Sequence, residues 1–176
     1  RRRTGTDQLS PFSAAIAGEK SSMRPLILAL VIGLLALFRP AVAEEQLLSK
    51  LEPITIATED DAKMFTVEIA DTDALRARGL MFRQRLPEDR GMLFDFGTPR
   101  EAAMWMKNTY IPLDMLFIRA DGTIAYIAEN TVPRSEEIIG VREPVLAVLE
   151  LAGGATRKLG IRPGDTVYHR IFKTED

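Results

Sequence analysis

Residues 145–151 read Val-Leu-Ala-Val-Leu-Glu-Leu, and this run decides how the fold is interpreted. A strand with one solvated face alternates apolar and polar residues, whereas this run is apolar on both faces apart from Glu150. Such a strand is buried on both sides, which predicts a central strand. A buried carboxyl group must find a cation, find hydrogen-bond donors or keep its proton.

Shorter apolar runs flank this segment along the chain. Residues 63–70 alternate strictly, and further runs cover 92–96, 102–106, 115–118, 123–128 and 166–172, with Gly and Pro between them. Many short strands with frequent Gly and Pro predict a mainly β fold, a compact sandwich or barrel-like domain with one or two short helices.

Local signals place the helices and one turn. Asp71-Thr72 can cap a helix over 73–78 that Gly79 ends, and residues 154–159 are typical of one more helical turn. Asp121-Gly122 lies between two apolar runs, which predicts a hairpin with a type I′ turn, because that turn needs two central residues with positive φ.

The amino-terminal part predicts an exported protein. The thirteen apolar residues 26–38 are too few to span a bilayer, which takes about 20, but they suit the hydrophobic region of a signal peptide. Pro40 and then Ala41-Val42-Ala43 follow, which predicts cleavage after Ala43 and a periplasmic or secreted location. An uncleaved membrane anchor and a buried helix are the alternatives.

The chain therefore divides into four expected segments: an over-extended or disordered start (1–22), the signal peptide (23–43), a flexible lead-in (44–52) and one globular β domain (53–176). We expect contact with a membrane only through the signal peptide during export.

Charge and cysteine content exclude several functions. Residues 1–43 carry six Lys/Arg and two Asp/Glu, a net charge of +4, whereas residues 44–176 carry seventeen and twenty-three, a net charge of −6. A domain of that charge repels phosphate backbones, so nucleic acid is not an expected partner. The chain has no cysteine, which excludes disulfides, thiolate nucleophiles and thiolate metal sites.

Polar residues concentrate in one segment beside an apolar run. Lys107, Asn108, Thr109 and Asp114 flank Pro112, which predicts a rigid polar loop, the usual place for a binding site on a β scaffold. Asn108 and Asp114 can instead tie down the turn through bonds to the backbone.

Glu150 is the most informative candidate. Arg78 and Lys107 are its expected partners in an ion pair, and such a pair is either structural or part of a ligand site. Trp105 shares a strand face with Lys107 by alternation, so it is expected in the core or in the wall of a pocket.

Metal and cofactor motifs are sparse. Five methionines between Met81 and Met115 suggest a Cu(I) site, because thioethers are soft ligands, although Met also fills irregular cores. His169 is the only histidine, which is too few for a histidine zinc site. No Gly-x-Ser-x-Gly or P-loop motif occurs in the mature part, so we expect no metal and no cofactor.

Five blocks of the mature part, in order, resemble the family called domain of unknown function 192. They are Arg78-Gly79-Leu80-Met81-Phe82-Arg83, Gly91-Met92-Leu93-Phe94, Trp105-Met106-Lys107-Asn108-Thr109, Ile111-Pro112-Leu113-Asp114 and Val148-Leu149-Glu150-Leu151-Ala152-Gly153. The resemblance implies a compact β-sandwich-like domain, often exported in bacteria, and it implies no activity.

These observations favour a non-enzymatic exported domain that binds a small polar ligand, an envelope component or a partner protein. The candidate residues are Arg78, Trp105, Lys107, Asn108, Thr109, Asp114 and Glu150. The alternatives are an enzyme that uses Glu150 or Asp114 as acid and base, methionine-based Cu(I) binding, and a structural or interaction module.

Overall fold

A computed structural model describes residues 49–172 of the chain. The predictions for residues 1–22 and for the signal peptide lie outside the described residues. Within 49–172, no helix has the length and apolar character needed to cross a membrane.

The described part confirms the mainly β fold with two short helices. The helices are α1 (Asp73–Arg78) and α2 (Ala155–Leu159), and the strands are β1 (Leu51–Ala57), β2 (Ala62–Ala70), β3 (Arg90–Arg100), β4 (Ala103–Met104), β5 (Leu113–Ile118), β6 (Ile124–Ala128), β7 (Ile139–Gly140), β8 (Val145–Ala152) and β9 (Thr166–Tyr168). The first strand begins at Leu51, two residues before the start expected for the domain.

Seven strands form one sheet in the order β6-β5-β8-β3-β2-β1-β9, while β4 and β7 pair separately. All neighbours are antiparallel except β2 and β3. The two edges of the large sheet approach each other, because Thr123 bridges Thr166 and the Val167 N–H donates to the Gly122 carbonyl at 2.8 Å. The sheet therefore curls into a half-barrel, which shields part of both edges.

Strand β8 lies in the middle of this sheet, between β5 and β3, and seven of its eight residues are buried, as the sequence predicts. Leu149 and Leu151 pack into the apolar cluster on one face. Val148 packs into the cluster on the other face, and Glu150 shares that face by alternation.

Helix α1 has the ends that its sequence predicts. The Thr72 hydroxyl accepts a hydrogen bond from the Leu75 N–H at 3.2 Å, and Gly79 ends the helix with a φ of 49°. A Cβ atom on Gly79 would lie 3.0 Å from Cζ of Phe94, so the absent side chain also lets the chain pass close to β3. This close approach brings residues 79–81 over the face that carries Glu150.

The hairpin between β5 and β6 forms, but the type I′ prediction is wrong. Gly122 has a φ of 84°, whereas neither Ala120 nor Asp121 has a positive φ. The Gly122 N–H donates to the Arg119 carbonyl at 3.0 Å, which is typical of a type I turn followed by a left-handed glycine. The Asp121 carboxylate accepts from the Thr123 N–H at 2.9 Å, and this bond stabilises the alternative turn.

Candidate ligand-binding site

Asp114 is completely buried in β5, and its carboxylate is fully used within the fold. One oxygen accepts from the N–H groups of Asn130 and Gly154 at 2.7 and 2.9 Å. The other accepts from the N–H and the hydroxyl of Thr156 at 2.8 and 2.7 Å. These four bonds join β5 to the segments that follow β6 and β8, so the carboxylate has no free acceptor position that faces a pocket.

Glu150 has the opposite environment. Its cross-strand neighbours are Met92 on β3 and Met115 on β5, and only 4% of its surface is exposed. Its carboxyl group makes no hydrogen bond to any other described residue. Burial among apolar groups raises the pKa of Glu150 to about 8, because the charged form loses its hydration. The side chain is therefore mainly protonated and neutral at pH 7.

The predicted ion pair between Glu150 and Arg78 or Lys107 is wrong. Among the described residues, neither cation lies within 4.0 Å of the carboxylate. The Lys107 ammonium is 3.8 Å from the Glu136 carboxylate and 5.4 Å from the centre of the Trp105 ring. Because no cation in the described part of the chain offsets its burial, desolvation raises the pKa of the Glu150 carboxyl group.

The carboxyl group opens into a pocket of about 90 Å³ between α1, β4 and the segment that follows β4. Trp105 forms one wall and is 47% exposed, so it is a pocket wall rather than a core residue. The complete lining is Arg76, Ala77, Arg78, Gly79, Leu80, Met81, Phe94, Ala103, Met104, Trp105, Lys107, Thr109 and Glu150.

Three cationic side chains line this pocket, and two of them, Arg76 and Lys107, have carboxylate partners outside the lining. Arg76, Arg78 and Lys107 are its charged lining residues, while Glu150 is mainly neutral at pH 7. Arg76 is held by the Asp73 carboxylate and the Asp95 carbonyl, both at 2.7 Å. Since residues 44–176 carry a net charge of −6, the pocket is a basic site on an acidic domain.

The loops around the pocket have strained backbone. Within residues 49–172, the non-glycine residues with positive φ are Phe82, Asn108, Asn130 and Arg134. The Phe82 N–H donates to the Asn108 carbonyl at 2.8 Å, and the Arg134 N–H donates to the Thr109 carbonyl at 3.0 Å. A positive φ is unfavourable for Phe and Arg, and such strain clusters at functional sites.

Five of the seven predicted site residues line one pocket: Arg78, Trp105, Lys107, Thr109 and Glu150. Asp114 is sealed elsewhere in the fold, and the Asn108 amide points to the sulfur of Met81 at 3.9 Å. Gly79, Leu80 and Met104 also line the pocket and were not predicted to do so, although the first two belong to a block that carried the family resemblance.

The methionines divide between pocket and core. Met81 and Met104 line the pocket, and Met92 and Met115 flank Glu150 in the neighbouring strands. The Met106 sulfur accepts from the Thr131 hydroxyl at 3.1 Å in the buried core. In the described part of the chain, no three His, Asp or Glu residues come together as a metal site, and Cu(I) binding stays a prediction.

Fold and site together define a class, a small β domain with a curled sheet and a neutral, unpaired acid in a basic pocket. The chain belongs to the domain of unknown function 192 family (DUF192, Uncharacterized ACR), whose model matches residues 54–169. This match confirms the resemblance seen in the sequence. No curated protein matches the chain.

Two solved structures are similar to this chain. One, from Sinorhizobium meliloti 1021 and described as a candidate transcription regulator, is 50% identical over 68% of this chain and 94% of its own, with a TM-score of 0.67. The other is a protein of unknown function from Novosphingobium aromaticivorans DSM 12444. It is 42% identical over 68% of this chain and 85% of its own, with a TM-score of 0.66.

Proposed function

We propose that this protein is an exported binding module whose Glu150 pocket takes a small anionic group, in the first instance a carboxylate. The observation that carries the proposal is the carboxyl group of Glu150, which is desolvated, unpaired among the described residues and open to a pocket. Burying a polar group without a partner costs free energy, and buried polar groups are normally hydrogen-bonded. A bound ligand that supplies the missing partner offsets that cost.

The chemistry of the pocket selects the ligand group. A protonated carboxyl group has one O–H donor, and a ligand that presents an acceptor satisfies it. The pocket has a volume of about 90 Å³, which is enough for a group as small as a carboxylate.

Charge favours an anionic acceptor over a neutral one. Arg78 and Lys107 line the pocket, and the exposed Arg78 makes no ion pair with another described residue. A carboxylate that enters the pocket gains their attraction in a partly desolvated setting, where it is stronger than in water.

Export and the choice of partner rest on the sequence. The signal peptide predicted over 23–43 supports a function in the periplasm or outside the cell. One similar structure is described as a candidate transcription regulator. For this chain, the net charge of −6 over residues 44–176 disfavours nucleic acid, and we propose a small molecule or an envelope protein as partner.

An NMR titration tests the proposal. Sodium acetate is added to the ¹⁵N-labelled protein at pH 7, with sodium chloride at equal ionic strength as the control. We expect saturable shifts of the Trp105 indole and of the Gly79 and Thr109 amides.

Two variants make this test specific. Glu150→Leu removes the donor and should abolish the shifts, whereas Glu101→Leu, at an exposed position outside the pocket, should leave them unchanged. Binding that survives Glu150→Leu, or shifts that chloride reproduces, would contradict the proposal.

Catalysis by Glu150 is a second candidate function, which one observation favours. A carboxyl pKa of about 8 lies close to neutrality, where general acids and bases work best. Asp114 does not share this role, because four donors hold its carboxylate. Mass spectrometry of a ligand before and after incubation with the protein separates the two functions, since a binding module returns the ligand unchanged.

A further inference from the structure

Exposed apolar side chains border the Glu150 pocket. The described residues include eight large apolar side chains that are well exposed, and four of them lie in the loops around the pocket. These four are Phe82, Trp105, Val132 and Ile138, which we call the apolar rim, with exposed fractions between 47 and 69%. A cluster of exposed apolar residues on a soluble domain marks an interaction surface.

Backbone pairing joins this rim to the pocket. Met104 on β4 pairs with Ile139 on β7, which places Trp105 and Ile138 each one residue beyond the same end of this ladder. Phe82 is hydrogen-bonded to the loop that follows Trp105, through the Asn108 carbonyl. The backbone segments that carry the rim are therefore bonded to the segments that line the pocket.

The size of the pocket determines what must lie on the rim. A space of about 90 Å³ holds a small group such as a carboxylate, so most of a ligand as large as a peptide must lie outside it. The apolar rim then contacts that remainder, which favours a carboxylate attached to an apolar body.

Strand β4 favours a polypeptide as that body. Within residues 49–172, β4 pairs only with β7, so its second edge has no strand beside it. Ala103 and Met104 of β4 also line the pocket. An extended peptide that lies along such an edge gains main-chain hydrogen bonds, while its side chains contact the neighbouring surface.

We propose that the ligand is the free carboxyl terminus of a polypeptide with apolar last residues, bound with its carboxylate in the Glu150 pocket and its side chains on the apolar rim. This inference rests on the proposed function and adds the class of partner. The pocket cations complement the terminal carboxylate. The Phe82 and Arg134 N–H groups donate to the Asn108 and Thr109 carbonyls, which ties the loops that carry the rim to the segment beside the pocket.

Calorimetry with defined probes tests the proposal. The probes are N-acetyl-Ala-Ala-Leu with a free carboxylate, the same peptide as a carboxamide, acetate and decanoate, each titrated into the protein at pH 7. We expect the peptide acid to bind at least tenfold more tightly than acetate and at least tenfold more tightly than the carboxamide. Decanoate that equals or exceeds the peptide acid would overturn the choice of a polypeptide.

A pair of surface variants tests the rim. Ile138→Ser should weaken binding of the peptide acid about fivefold without changing acetate binding, because Ile138 is 68% exposed and lies outside the pocket lining. Met64→Ser, at a residue 78% exposed on β2, is the matched control and should change neither.

Two results separate this inference from the function on which it rests. If acetate binding depends on Glu150 but the peptide acid binds no more tightly than acetate, the inference is overturned and the proposed function stands. No binding of either acetate or the peptide acid overturns both proposals.

Discussion

Replacement of Glu150 by glutamine should make the stability of this protein much less dependent on pH. A glutamate has an ordinary pKa of 4.5, and burial raises the pKa of Glu150 to about 8. Between these values the folded state holds a proton that the unfolded state has released, so the free energy of unfolding falls as pH rises. Below 4.5 both states are protonated, and above 8 both are ionised, so the contribution of Glu150 is constant outside this window.

The size of the effect follows from the two pKa values. Each pH unit over which only the folded state keeps the proton changes the free energy of unfolding by about 1.4 kcal/mol. The wild-type protein should therefore lose about 5 kcal/mol over the whole window, and about 3 kcal/mol between pH 5 and pH 8. Glutamine has a similar volume and does not ionise, so Glu150→Gln should escape this loss.

Urea unfolding, followed by circular dichroism at pH 5 to 9, measures the effect. From pH 5 to pH 8, the free energy of unfolding of Glu150→Gln should rise by about 3 kcal/mol relative to that of wild type. Taking the difference between the two proteins cancels the contributions of other titrating groups. One such group is His169, whose pKa is lowered mainly by burial. Its contribution to the free energy of unfolding therefore increases as pH rises toward 6.5. A difference between Glu150→Gln and wild type that stays constant with pH would refute the reasoning.

Three further predictions concern the fold and its processing. Asp114→Asn should lower the free energy of unfolding in urea by about 2–3 kcal/mol, because an amide nitrogen would face N–H donors. An unchanged urea midpoint would contradict the role of these hydrogen bonds. Gly122→Val should lower the free energy of unfolding in urea by about 1–3 kcal/mol, since a β-branched residue is strained at a φ of 84°. A variant as stable as wild type would contradict this prediction. Protein from the native host should begin at Glu44 by amino-terminal sequencing, and an intact 26–38 segment would contradict cleavage after Ala43.

Local sequence signals predicted much of the fold. The apolar run of β8, the capped helix α1 and the hairpin at Gly122 each depend on neighbouring residues, which sequence patterns describe. The meeting of the sheet edges at Thr123 and Thr166 was not predicted, because pairing between residues far apart in sequence leaves no local periodicity. The type I′ prediction was wrong because the bond from Thr123 to the Asp121 side chain competes with that turn.

The site was only partly predictable, for a different reason. Glu150 stood out because an ionisable residue interrupts an apolar run, and its burial is correct. Its predicted pairing with Arg78 or Lys107 was wrong, because sequence shows which cations are available but not their distances. The positive φ of Phe82 and Arg134 could not be predicted either, since neither residue type favours that conformation and the loop contacts impose it.

The central claim is that Glu150 is a neutral, unpaired acid at physiological pH, and carbon NMR tests it most directly. The side-chain carboxyl carbons of the ¹³C-labelled protein are followed between pH 3 and pH 10, and the Glu150 signal is assigned by its loss in Glu150→Gln. We predict a pKa of about 8 for this carboxyl group. A pKa at or below the ordinary 4.5 of a glutamate would show that Glu150 is charged at pH 7 and would contradict the proposed site.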